Sequence, residues 1–178
     1  ENCGSTHPAL LQQTVRAIGA DIGIALDGDG DRVLMVDEDG ELLDGDQLLY
    51  ILALDLKANN KLRGPVVGTI MSNIGLELAL KDQGILFERS KVGDRHVLEM
   101  LREHEGNLGG ETSGHMLCMD HAETGDGLIT ALQILSVMTR TGKSLKELTK
   151  NFKKFPQITE NIDLNDKSKF KYSPEIDT

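Results

Sequence analysis

The 178 residues carry 29 acidic against 19 basic side chains, a net charge of −10, and aromatic residues make up only 3% with no tryptophan. That balance excludes the electropositive or stacking surfaces that hold nucleic acid, and it disfavours an anionic membrane. With 39% hydrophobic residues and no apolar run near the roughly 18 residues of a membrane span, the chain can build a core of one domain, or of one domain plus parts of its neighbours.

Residues 8–18 place Leu10, Leu11, Val15 and Ile18 at helical spacing with Pro8 near the start, which predicts a short amphipathic helix. The apolar run at 22–26 ends in DGDGDR, and VLMVD at 33–37 leads through the turn signal EDG into ELL. The pattern reads strand, loop, strand, turn, strand. From Gly45 onward helix and strand signals alternate: helix at 46–58, strand at 65–70, helix at 73–83, strand at 85–90 and helix at 94–104. A strand near 108–111, a return through 115–119 and a helix over 127–140 follow. This is the rhythm of βαβ units and gives an α/β fold class. Asp126 is a helix cap, and Ser144 with Glu147 three residues later caps a short helix. After Pro156 the sequence turns polar and lysine-rich, as a linker or the edge of another domain does.

Cys3 and Cys118 form no CxxC pair and no disulfide framework, which suits a reducing cytoplasm. The first residue is Glu, so the chain is expected to be an excised piece of a longer polypeptide.

The chemistry concentrates in DGDGDR. Asp27, Asp29 and Asp31 alternate along an extended chain and project to one side, with glycines between them that permit tight curvature. Three like charges so close repel unless a cation sits among them, and magnesium suits a few carboxylates plus a phosphate oxygen or water. Counting Asp27 as position 1 of a calcium-binding EF-hand places Glu38 at position 12, but position 6 is Arg32 where glycine is required, and the flanks read as strands instead of helices. Arg32 either forks onto a phosphate beside the metal or relieves the aspartates through an ion pair.

Six strings together resemble the α-D-phosphohexomutases: NCGSTHP at 2–8, GADIGIALDGDGDR at 19–32, DGDQLLY at 44–50, TIMSN at 69–73, KVGDRHV at 91–97 and GGETSGH at 109–115. The resemblance covers nearly the whole chain. It implies four domains in the whole enzyme, with residues 1–44 as the end of domain 2 with its metal loop, 45–150 as a mixed-sheet, sugar-binding domain 3, and 151–178 as linker and start of domain 4. It also implies Mg2+ on Asp27, Asp29 and Asp31, and a phosphoserine supplied by a domain 1 loop that no stretch here resembles. The phosphate-binding loop of domain 4 has no counterpart here either.

The wording KVGDRHV and TIMSN is similar to the amino-sugar branch, so the implied reaction converts glucosamine 6-phosphate to glucosamine 1-phosphate through a 1,6-bisphosphate. A mannose or glucose phosphate is the alternative substrate, and a non-catalytic calcium module is the alternative of another class. In GGETSGH, Glu111 and Ser113 are assigned to sugar hydroxyls. His115 is similar to a position used in proton transfer, against the bland reading of a satisfied structural histidine. Gly93, Asp94 and Arg95 are candidates for a second sugar- or phosphate-contacting turn, against the reading of a helix start with a solvated arginine. His7, Lys91 and His96 receive no chemical role. The implied partners are a hexosamine phosphate and the remaining domains of the same polypeptide.

Overall fold

The structure is a computed structural model that describes residues 4–158. Cys3 and most of the tail assigned to a following domain lie outside the described residues.

Helix α1 (Ala9–Ile18) lies beside a three-stranded antiparallel sheet of β1 (Gly23–Leu26), β2 (Val33–Val36) and β3 (Leu42–Leu43), in the order β1-β2-β3. The turn between β2 and β3 is fixed by Asp37, whose Oδ1 accepts from the backbone N–H of Asp39 at 3.0 Å and of Glu41 at 2.8 Å. A short polar side chain can satisfy the backbone of a tight turn in this way.

Helix α2 (Gly45–Ala58) begins on a capping box: Asp44 accepts from the N–H groups of Asp46 and Gln47, and the Gln47 side chain returns to the Asp44 N–H. Its buried face runs through Leu48, Leu49, Leu52 and Ala53. β4 (Val66–Thr69), α3 (Ile74–Asp82), β5 (Phe87–Ser90), α4 (Asp94–Glu103), β6 (Leu108–Gly110), β7 (Met116–Cys118), α5 (Gly127–Thr141) and α6 (Leu145–Thr149) complete the chain. The second sheet has the order β5-β4-β6-β7, with β4 parallel to both neighbours and β7 antiparallel to β6.

Alternation along the strands splits the core into two layers. Val66, Leu108, Met116 and Cys118 face the large cluster built by α2, α3 and α5, whereas Val67 and Leu117 face Val97 and Leu101 of α4. All four residues of β4 are buried, as expected of a strand covered on both faces. The larger cluster also takes in Val33, Met35 and Leu43 of the first sheet, so one core spans both sheets. Among the described residues no helix is long and apolar enough to cross a membrane.

The crossover through α3 leads from β4 out to β5, and the one through α4 returns from β5 past β4 to β6 on its other side. The loops following β4, β5 and β6 therefore gather at one carboxyl edge, where open α/β sheets receive ligands. TIMSN, KVGD and ETSGH are these three loops.

Candidate functional site

The acidic loop closes the β1–β2 hairpin. Leu26 pairs with Val33, and the six residues between them turn the chain, with the Arg32 N–H donating to Asp27 Oδ1 at 3.1 Å. One carboxylate oxygen from each of Asp27, Asp29 and Asp31 lies within 4.8 Å of the others. Asp29 is exposed, and Asp27 and Asp31 are partly buried.

Burial alone would raise the Asp27 carboxyl, but the Arg32 N–H, a hydrogen bond with Asp31 and the Arg32 charge outweigh it and hold Asp27 below its usual range. Burial, the hydrogen bond with Asp27 and the charges of Asp27 and Asp29 push Asp31 above its usual range. The Arg32 Nε stands 3.7 Å from Asp27 Oδ2 and 3.8 Å from Asp31 Oδ1, too far for hydrogen bonds and close enough for partial charge relief. Asp31 Oδ1 is buried without a hydrogen-bond partner. Convergent carboxylate oxygens with one buried lone pair unused are a donor set that fits a small hard cation. The flanks of this loop are β1 and β2, so the helix–loop–helix frame of an EF-hand is absent and that alternative falls.

The loop Glu111–His115 closes the β6–β7 pair, whose last partners are Gly110 and Met116. It lies directly against the acidic hairpin: the Val33 N–H donates to the Gly114 carbonyl at 3.1 Å. Gly114 has φ +94°, and a Cβ there would stand 2.1 Å from the Val33 carbonyl oxygen, so only glycine allows this approach. His115 is 7% exposed, and its Nδ1 is 3.1 Å from Asp31 Oδ2. Its Nε2 is buried without a partner, beneath Gly125, where a Cβ would come within 2.3 Å of that nitrogen. One ring nitrogen thus serves Asp31 while the other stays unpaired, an arrangement that fits both a structural histidine and a proton-transfer group.

Glu111 bridges two loops, its Oε1 accepting from the Gly93 N–H at 2.8 Å while Oε2 lies 3.3 Å from the exposed Ser113 hydroxyl. Asp94 and Arg95 open α4. Asp94 Oδ1 accepts from the Arg95 N–H at 2.7 Å, and Arg95 donates from Nε to Glu99 Oε1 at 2.9 Å with its side chain 83% exposed. The structure thus brings together Asp27, Asp29, Asp31, Arg32 and His115, and beside them Glu111, Ser113 and Gly93. Arg95 is turned along its own helix.

Three polar residues at this edge went unassigned in the sequence: Asp46, Asn73 and Thr112. Asp46 is fully buried, and its Oδ2 accepts from the Asn73 N–H at 2.8 Å and from the Thr112 hydroxyl at 3.1 Å. Their only signal in the sequence is membership of DGDQLLY, TIMSN and GGETSGH.

Fold and site define an α/β/α protein in which an acidic hairpin loop abuts the carboxyl edge of a mixed sheet. Residues 4–40 match the model of phosphoglucomutase/phosphomannomutase alpha/beta/alpha domain II and residues 44–155 that of domain III, and the chain belongs to this family. It is 53% identical over 176 residues to a phosphoglucosamine mutase of Legionella pneumophila, covering 99% of this chain and 39% of that protein. The chain thus spans about two fifths of the length of the curated relatives it matches. Among solved structures, a phosphoglucomutase/phosphomannomutase family protein from Burkholderia thailandensis is 29% identical with a TM-score of 0.73, over 83% of this chain and 33% of the other. The N-acetylphosphoglucosamine mutase of Aspergillus fumigatus, solved with GlcNAc-6P and magnesium, shares the fold at 21% identity and a TM-score of 0.74, over 98% of this chain and 44% of the other.

Proposed function

We propose that this chain supplies the cation loop and the sugar-reading loop of a mutase that interconverts glucosamine 6-phosphate and glucosamine 1-phosphate. The observation that carries the reading is the contact between the two loops: His115 on Asp31, and Gly114 on Val33. A cation at Asp27, Asp29 and Asp31 would then lie beside a hydroxyl-binding surface. Identity of 53% to a phosphoglucosamine mutase supports glucosamine over mannose or glucose.

Bound there, Mg2+ would supply charge stabilisation to the transferring phosphoryl oxygens. The three aspartates hold the positive charge, and His115 keeps Asp31 turned toward it. Arg32, which touches both Asp27 and Asp31 only at long range, is free to swing onto a phosphate oxygen. Glu111 accepts hydrogen bonds from sugar hydroxyls and Ser113 both donates and accepts, while the Gly93 N–H fixes the orientation of the Glu111 carboxylate. Gly93, with Asp94 and Arg95, forms the rim of the same edge. The phosphoryl group comes from a phosphoserine in another part of the polypeptide, as the resemblance implies, and passes through a 1,6-bisphosphate. Cys118, a buried free thiol, suits a cytoplasmic setting.

The test is turnover by the complete protein that carries this chain on glucosamine, mannose and glucose 6-phosphates with Mg2+. Preference for glucosamine 6-phosphate is expected, and preference for mannose 6-phosphate overturns the assignment. The 178-residue chain alone is expected to show no turnover.

A further inference from the structure

We propose that Asp46 is a positioning residue for the sugar-reading loop, joining Thr112 to Asn73 and, through Asn73, to the segment around Phe155. The proposal rests on the reading of Glu111–His115 as that loop.

The Asp46 side chain has no role in starting its own helix, because Asp44 already caps α2. It turns into the protein. A carboxylate withdrawn from water is unfavourable unless donors replace the water, and here Oδ2 has two donors while Oδ1 is buried with none. A group seated at such a cost fixes the geometry of what it touches.

One of those partners is Thr112, which is held twice, by its hydroxyl on Asp46 and by its carbonyl, which accepts from the Gly45 N–H at 3.0 Å. Thr112 lies between Glu111 and Ser113, so fixing it fixes where both neighbours point. The other partner is Asn73, the N-cap of α3. Its backbone N–H goes to Asp46, its Oδ1 accepts from Gly75 and Phe155 N–H groups at 3.0 Å each, and its Nδ2 donates to the Phe155 carbonyl at 2.8 Å and to Gln157 Oε1 at 3.2 Å. Gln157 returns to the Met71 carbonyl at 3.0 Å, and Lys154 pairs with the Asp44 carboxylate. The motifs DGDQLLY and TIMSN, which the site residues alone leave without a task, thus form one clasp that ties the sugar loop to the chain leaving the domain. The buried Asp46–Asn73 bond lies at the centre of this clasp, with part-buried bonds leading out to Thr112 and Phe155, and such a contiguous network couples a displacement at one end to the other.

The test uses this chain with amide exchange and a glucosamine 6-phosphate titration, both read by NMR. Thr112→Val removes only the hydroxyl donor. It is expected to speed exchange of the remote Phe155 amide and to weaken sugar-phosphate binding, each by about fivefold, the factor carried by one net hydrogen bond, while the core amide of Val67 keeps its protection. Thr112→Ser is expected to restore both. Asn73→Ala, which removes no group of the sugar loop, is expected to weaken the binding as well. Wild-type exchange at Phe155 in Thr112→Val overturns the proposal, as does a speeding of Val67 by the same factor. A wild-type chain that binds no glucosamine 6-phosphate refutes the sugar-loop reading, whereas the Thr112–Phe155 coupling is judged on exchange alone.

Discussion

The His115 imidazole and the Asp31 carboxylate meet at 3.1 Å across 84 residues of sequence, the only side-chain hydrogen bond among the described residues that joins the acidic loop to the Glu111–His115 loop. An outer partner of this kind fixes the direction of a ligand oxygen, and its loss commonly costs about 10–100-fold in metal affinity. His115→Phe keeps an aromatic ring, somewhat larger than the imidazole, and removes both nitrogens. Isothermal titration with Mg2+ is expected to show a loss in that range; unchanged affinity means that His115 does not orient Asp31.

Gly114 carries the backbone side of the same contact. Its φ of +94° and the 2.1 Å that would separate a Cβ from the Val33 oxygen leave no room for a side chain. Gly114→Ala is expected to lose about 1–3 kcal/mol of stability from the backbone conformation alone, more once the loops are pushed apart. Urea unfolding measures this, and a change under 0.5 kcal/mol, the ordinary scale of surface substitutions, contradicts the packing described.

Asp46 gives a pH signature with a definite sign. Burial raises its carboxyl from an ordinary value of 3.8, against the lowering effect of the Asn73 N–H. A raised folded-state pKa means that the folded protein holds the proton more tightly than the unfolded chain. The associated stability is complete below pH 3.8 and is lost as pH climbs through the higher folded value. Asp46→Asn removes this titration. Its stability relative to wild type is therefore expected to improve from about pH 4 to pH 7, measured by urea midpoints; a difference that is flat or declines with pH contradicts a buried, proton-retaining Asp46.

Cys118 is 7% exposed, and burial pushes its thiol up to about 11. The nucleophilic thiolate is then scarce at neutral pH and sheltered from reagents. Alkylation of Cys118, followed by peptide mass spectrometry, is expected to be slow in the native chain and rapid in denaturant; equal rates contradict the burial.

Much of the fold is legible in the sequence because local chemistry and tertiary packing agree. Ser144 and Glu147 form the expected capping box on α6, and Asp126 accepts from the Ile129 N–H at 2.8 Å to start α5. The run VVGT lacks polar alternation and lies in the central strand, buried on both faces. The acidic loop is legible in its spacing, since alternate aspartates in DGDGDR fall close together when the chain turns between β1 and β2. Asp46 is not legible, because an acid in the first turn of a helix ordinarily lies in solvent and favours the helix dipole. Its burial depends on Asn73 and Thr112, 27 and 66 residues away. The orientation of His115 is hidden likewise, because spacing cannot show that the loop before β7 comes to lie beside Arg32 and Val33.

The most direct test of a joint site is an NMR titration of this chain with Mg2+, alone and then with glucosamine 6-phosphate. Amides at Gly28–Arg32 and at His115 are expected to shift along one binding curve, with the sugar phosphate then moving Gly93, Glu111 and Ser113 at an affinity raised by the metal, and with neither effect in Asp27→Asn/Asp31→Asn. Shifts confined to one loop, or sugar-phosphate binding that ignores Mg2+, would contradict a single site shared by the acidic hairpin and the sugar-reading loop.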